Sequence, residues 1–156
     1  MITSIELRPA RVDDAPRIAR VLLWSRLVFL PYAVSSHSDD DTRHWVRNVL
    51  VPSGGVTVAC EGEAMVGVVA VSQEAEAGWI HQLYLSPTHV GRGLGSRLID
   101  HALQQLARPV RLYTFQANAG ARRFYERHGF RAIAFSDGST NDERCPDVLY
   151  ELATPR

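Results

Sequence analysis

His89-Val90-Gly91-Arg92-Gly93-Leu94-Gly95-Ser96 stands between an apolar run and a long amphipathic segment, and the fold turns on how it is read. Glycines at alternate positions permit a tight turn through backbone conformations that other residues adopt at a cost. Beyond it, Leu94, Leu98, Ile99, Ala102, Leu103 and Leu106 recur at helical spacing. A glycine-rich loop feeding a helix start leaves several N–H groups unpaired around one point. The macrodipole adds about half a positive charge there, and Arg92 adds a full one. The stretch is either a cradle for phosphate or pyrophosphate, or a turn without a ligand. Two familiar phosphate loops do not match it. A Walker loop requires Gly-Lys-Ser/Thr, whereas Gly95-Ser96-Arg97 has no lysine. A dinucleotide fingerprint requires a third glycine where this chain has Leu98 or, counted from Gly91, Ser96.

The rest of the composition narrows the class. With 156 residues and 46% hydrophobic content, the chain suits one domain, 1–156, with a proper core. Its 17 basic and 17 acidic residues cancel, and no basic block tracks a phosphate backbone, so no nucleic-acid partner is expected. No uncharged run approaches the length of a membrane span, and Met1-Ile2-Thr3-Ser4 lacks a basic-then-apolar leader pattern. Cys60 and Cys145 are too few for a disulfide framework, which makes a reducing cytoplasm the expected compartment. His37, His44, His89, His101 and His128 show no paired ligand spacing, and no metal is expected.

Along the chain, Ile5 to Arg8 alternates as a strand. Asp13 and Asp14 offer N-caps to a helix reaching Leu27, with Pro16 in its first turn. Ser38 and Asp39 to Asp41 start a second helix with Trp45, Val46 and Val49 on its buried side. Val56 to Ala59 and Met65 to Val71 form a hairpin around Glu61-Gly62-Glu63. Trp79 to Leu85 is the strand that feeds the glycine loop. After the helix to Leu106 come a strand over Val110 to Phe115, a helix over Ala119 to His128 capped by Gly129, and strands over Arg131 to Phe135 and Val148 to Leu152. The order β-α-α-β-β-β-α-β-α-β-β predicts an α/β (α+β) architecture, a mixed sheet with helices on both faces.

Two blocks carry a family resemblance. Leu83-Tyr84-Leu85-Ser86-Pro87 followed by Val90-Gly91-Arg92-Gly93-Leu94-Gly95 is similar to the strand-plus-loop pattern Gln/Arg-x-x-Gly-x-Gly/Ala of the GNAT acyl-CoA-dependent N-acetyltransferases. Asn118-Ala119-Gly120-Ala121-Arg122-Arg123-Phe124-Tyr125-Glu126-Arg127-His128-Gly129-Phe130 resembles the family's Asn-x-x-Ala-x-x-Phe-Tyr-x-x-x-Gly-Phe signature. The resemblance covers nearly the whole chain. One departure is Val90, which stands where the family usually has Gln or Arg. The resemblance implies a GNAT fold with a splayed middle strand pair. It implies acetyl-CoA as cofactor, held by Leu83, Tyr84 and Leu85, by Val90, Gly91, Arg92, Gly93, Leu94, Gly95 and Ser96, and by Asn118. The pantetheine arm would pair with the free strand edge like an added strand.

It also implies roles in the chemistry. Transfer of acetyl from a thioester to an amine needs a deprotonated amine, a stabilised oxyanion and a departing thiolate. Tyr125 is the expected proton donor to the thiolate, a phenol of pKa about 10 facing a thiol of about 8.5. His81 is the candidate base, since imidazole suits proton removal near neutrality. Strand alternation would put it on one face with Trp79, Leu83 and Leu85. Glu143 and Asp147, in the long loop Ser136 to Pro146 and at its end, are expected to attract a protonated amine, and Arg26, Tyr32, Trp45 and Trp79 to contact the acceptor. The expected partner is a small-molecule amine, with homodimers common in this fold. A non-catalytic acyl-CoA sensor on the same fold is the alternative, and the Tyr125 hydroxyl favours an enzyme.

Overall fold

In the computed structural model, residues 4–33 and 35–155 are described; Met1 to Thr3, read above for a leader pattern, lie outside them. The strands are β1 (Ile5–Pro9), β2 (Val56–Glu61), β3 (Ala64–Gln73), β4 (Gly78–Leu85), β5 (Val110–Phe115), β6 (Arg131–Ser136) and β7 (Asp147–Leu152). The helices are α1 (Ala15–Phe29), α2 (Asp39–Trp45), α3 (Leu94–Gln105) and α4 (Ala119–Arg127). One seven-stranded mixed sheet runs in the order β1-β2-β3-β4-β5-β7-β6. Every neighbouring pair is antiparallel except β4 and β5. No helix among the described residues is long and apolar enough to cross a membrane.

Each face of the sheet has its own core, as the predicted architecture requires. On one side α3 and α4 bury Leu94, Leu98, Ile99 and Tyr125 against Ile80, Val110, Leu112, Val148 and Tyr150. On the other, α1 and the segment after α2 bury Ile18, Leu22, Val46 and Leu50 against Val56, Val58 and Val68. Gly67 on β3 lets the Leu98 side chain of α3 pack close against the sheet. A Cβ there would lie 2.9 Å from Leu98 Cδ1.

Local geometry departs from simple periodicity in three places. Asp14 does not cap α1 through its side chain. Its buried carboxylate instead accepts two hydrogen bonds from the Arg8 fork at 2.7 and 2.9 Å, one from Arg17 at 2.6 Å and one from the Arg11 backbone N–H at 2.7 Å. A carboxylate with that many charged donors is worth more as a clasp between β1 and α1 than as a cap. Second, α2 runs into a π-helical turn at Val46–Leu50. The wider turn advances the buried position by one residue, so Val49 is 53% exposed and Leu50, at 6%, takes the core place expected of it. Third, opposite the β3 step Ala70 to Val71, β4 steps from Gln82 to Ile80, leaving His81 as the extra residue of a β-bulge.

Candidate active site

The bulge at His81 overturns the expected alternation, because an extra residue reverses the facing of everything beyond it. Ile80, Leu83 and Leu85 pack into the α3/α4 core, while Tyr84 packs toward α1. Trp79 and His81 keep to the face opposite Ile80, their rings stacked at 6.3 Å, and Tyr113 also stacks with Trp79 at 5.8 Å. His81 is exposed, and its Nε2 lies 2.7 Å from Ser72 Oγ.

β4 and β5 pair only at Gly78 with Val110 and at Trp79 with Arg111. Beyond those pairs the strands part, giving the splayed middle pair the resemblance implied. The Ser86 N–H bonds to Val66 O on β3, so alternation turns the N–H groups of Leu83 and Leu85 the other way, into the opening. Tyr84, Leu112, Thr114, Phe115, Asn118 and Tyr125 are among the walls of this slot. It continues into a cavity of about 480 Å³ bounded by Leu83, Tyr84, Leu85, Val90, Gly91, Gly95, Asn118 and Tyr125. That volume suits a small-molecule ligand.

The glycine loop at the cavity's end is open. Gly91 and Gly93 adopt φ of +73° and +81°, and a Cβ on either would meet nothing within 4 Å. Gly95 works differently: its missing side chain lets the Phe124 ring approach, with a Cβ reaching Phe124 at 3.2 Å. Of the loop residues singled out above, Val90, Gly91 and Gly95 line the cavity, and Arg92 and Gly93 stand exposed beside it. Leu94 instead turns its side chain into the core, which any first-turn residue on the buried face must do. Ser96 Oγ lies 3.0 Å from His128 Nε2, tying α3 to the end of α4.

Asn118 caps α4 by accepting from the Ala121 N–H at 3.2 Å, and it lines both slot and cavity. Tyr125, 9% exposed, lies between Phe124 and Phe130. Burial pushes its phenol far above the ordinary tyrosine value, with Tyr84 adding to the effect. Tyr84 is raised by burial too, opposed by Arg26, whose Nη1 lies 3.5 Å from the Tyr84 hydroxyl. Arg127 also lines the cavity as an exposed cation, and periodicity, which assigns only buried faces, gave no sign of it.

A separate pocket of about 300 Å³ opens between α1, α2 and the loop before β7. Arg26, Trp45 and Glu143 line it, and Gln82 lines both it and the slot. Asp147 is not brought there. Its carboxylate accepts from Ser136 Oγ at 2.6 Å and Asn141 Nδ2 at 3.3 Å, bracing the loop. The structure thereby separates the expected acidic pair, because a residue opening a strand has its side chain fixed by the sheet. Tyr32 packs edge-on to Phe115 at 6.4 Å, beside the slot.

The model of the acetyltransferase (GNAT) family matches residues 19–130. The chain belongs to the GNAT acetyltransferase family. An uncharacterized N-acetyltransferase of Archaeoglobus fulgidus is 30% identical over 140 residues, spanning 81% of this chain and 93% of the relative. Two solved structures share the fold. The apo form of YjaB from Escherichia coli has a TM-score of 0.76 at 21% identity, covering 97% of this chain and 99% of that one. The PaiA N-acetyltransferase of Thermoplasma acidophilum, solved with coenzyme A, has a TM-score of 0.74 at 18% identity over 97% and 99%. In this GNAT chain the slot, glycine loop and Tyr125 thus sit on one continuous opening, with a second pocket reached across Gln82.

Proposed function

We propose that this chain transfers an acetyl group from acetyl-CoA directly to the primary amine of a small molecule. The observation that carries the reading is the slot between β4 and β5, unpaired beyond Trp79 and Arg111 and continuous with the open glycine loop. A strand edge left unpaired inside a protein is costly unless a ligand completes it. The residues present suit such a ligand. The Gly91 to Gly95 turn, the first N–H groups of α3, and the exposed Arg92 and Arg127 would hold its phosphates. Leu83, Leu85 and Asn118 would hold the arm through hydrogen bonds. Bound acetyl-CoA supplies an acetyl group activated as a thioester.

The chain's own groups divide the remaining work. The inward N–H groups of β4 are fixed donors for a developing oxyanion. Tyr125 is set to donate a hydrogen bond to the departing sulfur. Its raised pKa makes complete transfer of its proton to a thiolate near 8.5 uphill, so a hydrogen bond is the role that burial favours. His81, exposed beside the slot, would pass the acceptor's proton outward.

A thermal-unfolding titration tests the reading, with ATP and NAD as controls. Acetyl-CoA at 100 times its dissociation constant should stabilise the fold by about 2.7 kcal/mol, and an amine panel should then release free thiol. No shift with acetyl-CoA, or an equal shift with ATP, would sink it.

A further inference from the structure

From the Arg26–Glu143 pair in the 300 Å³ pocket, we propose that the acceptor is a free α-amino acid, its carboxylate taken by Arg26 and its amine presented across Gln82 to the slot. This rests on the acetyl-transfer reading above. Arg26 reaches from α1 to the loop before β7, and both side chains of the pair are about four-fifths buried, at 23% and 21% exposure. Yet the pair is loosely made. One guanidinium nitrogen meets one oxygen, Glu143 Oε1, at 3.2 Å, and another meets the Tyr84 hydroxyl at 3.5 Å. A guanidinium carries five N–H donors in a fork matched to a carboxylate held by two bonds. Guanidinium donors left unfilled at so buried a position are free to bond a carboxylate ligand.

Position sets the class of ligand. Tyr84, which holds Arg26, also lines the slot, so Arg26 is the pocket cation that borders the reacting centre. A diamine would bring a second positive charge against Arg26, and a peptide would offer it a neutral carbonyl. An α-amino acid places its nitrogen and a carboxylate oxygen three bonds apart, so Arg26 can hold one while the other enters the slot. The pocket's other charged groups, Asp41, Asp142 and His37, already have partners of their own. Asp41 accepts the Ser38 N–H at 3.2 Å, and Asp142 and His37 stand exposed at the rim, 3.7 Å apart. Glu143 is left to receive the incoming ammonium once the carboxylate displaces it from Arg26, and the Gln82 amide, free of hydrogen bonds to other described residues, lies on the way in. The acceptor loses one proton to solvent, and its neutral nitrogen bonds to the acetyl carbonyl carbon as the carbon–sulfur bond breaks. The nitrogen's second proton ends on sulfur, giving an N-acetyl amino acid, free thiol and one proton.

The test compares leucine, leucinamide and 3-methylbutylamine, then other amino acids in the same three forms, by thiol release. The free acid should exceed its amide and its decarboxylated amine at least tenfold in kcat/KM. With coenzyme A present, only the acid should raise the unfolding midpoint. Arg26→Gln should abolish that preference, lowering the acid's kcat/KM tenfold or more and bringing the ratio of acid to amide close to one. Arg26→Lys, which keeps the charge without the fork, should retain part of it and stands in if the glutamine variant fails to fold. An amide or plain amine that matches the acid overturns the proposal, as does an equal loss on all three substrates in Arg26→Gln. Stabilisation by acetyl-CoA without turnover of any α-amino acid overturns this proposal alone. Absence of that stabilisation overturns the acetyl-transfer reading as well.

Discussion

Tyr125 and Tyr84 stand on one slot, and burial raises both phenols above their ordinary value near 10. The upward direction means that Tyr125 keeps its proton throughout the range in which a protein of this kind is assayed, so its donor role should show no limb below about pH 10. In the proposed mechanism Tyr125→Phe removes one hydrogen bond to a developing negative charge, and it leaves the ring in its place between Phe124 and Phe130. A hydrogen bond to a charged group contributes about 1.5–3 kcal/mol. Turnover should therefore fall by roughly tenfold to a hundredfold, with stabilisation by acetyl-CoA retained. Steady-state thiol release beside the thermal titration checks both halves, and an unchanged kcat would remove Tyr125 from the mechanism. Its place was legible because a long signature fixes the helix on which it rides. Gln82 was not legible, since its role at the junction depends on the bulge beside it.

At the scale of elements, spacing and turn chemistry located all seven strands and all four helices, as the ends of β5 at Val110 and Phe115 illustrate. What spacing missed were changes of period within an element. The bulge at His81 and the π-helical turn at Val46–Leu50 each add a residue that a fixed period of 2 or 3.6 cannot express. The clasp at Asp14 was missed for another reason: a helix-start aspartate looks the same whether it caps the helix or binds a distant arginine. Arg8 and Arg17 hold its carboxyl well below the ordinary carboxylate range near 4. A depressed pKa in the folded state contributes stability that is present above that range and withdrawn as pH falls below it. Asp14→Asn should therefore destabilise the fold by about 3 kcal/mol near neutrality, since it removes the buried carboxylate that pairs with half-buried Arg8. It should also flatten the acid-side fall in stability, because the group that takes up the proton is gone. Denaturant unfolding at pH 7 and pH 2 measures both, and an equal loss at the two pH values would refute the clasp.

The whole molecule has to hold a sheet open without falling into two pieces. β1 to β4 meet β5, β7 and β6 through two residue pairs, and a ladder that short would not join them alone. The core beneath α3 and α4 supplies the continuity. Ile80 on β4, Leu112 on β5, Tyr125 on α4 and Tyr150 on β7 belong to one buried cluster that crosses the gap. Tyr150 adds polar anchorage, donating to Glu126 at 2.9 Å and accepting from Arg122 at 3.0 Å. The slot is thus an opening in a frame closed from behind, which is what a preorganised site needs. Such a frame should unfold as one unit. Trp45 reports on the pocket beside α1 and Trp79 on the joint between the half-sheets, so fluorescence samples regions that would separate if the halves were independent. Fluorescence and far-ultraviolet circular dichroism should give coincident denaturation curves. Acetyl-CoA should move both curves together to higher midpoint, since a ligand bound between the halves stabilises whichever unit unfolds. A fluorescence change that precedes the loss of secondary structure would mean that the joint opens on its own. The slot would then be a hinge, and binding would tighten the Trp79 signal before it moved the rest.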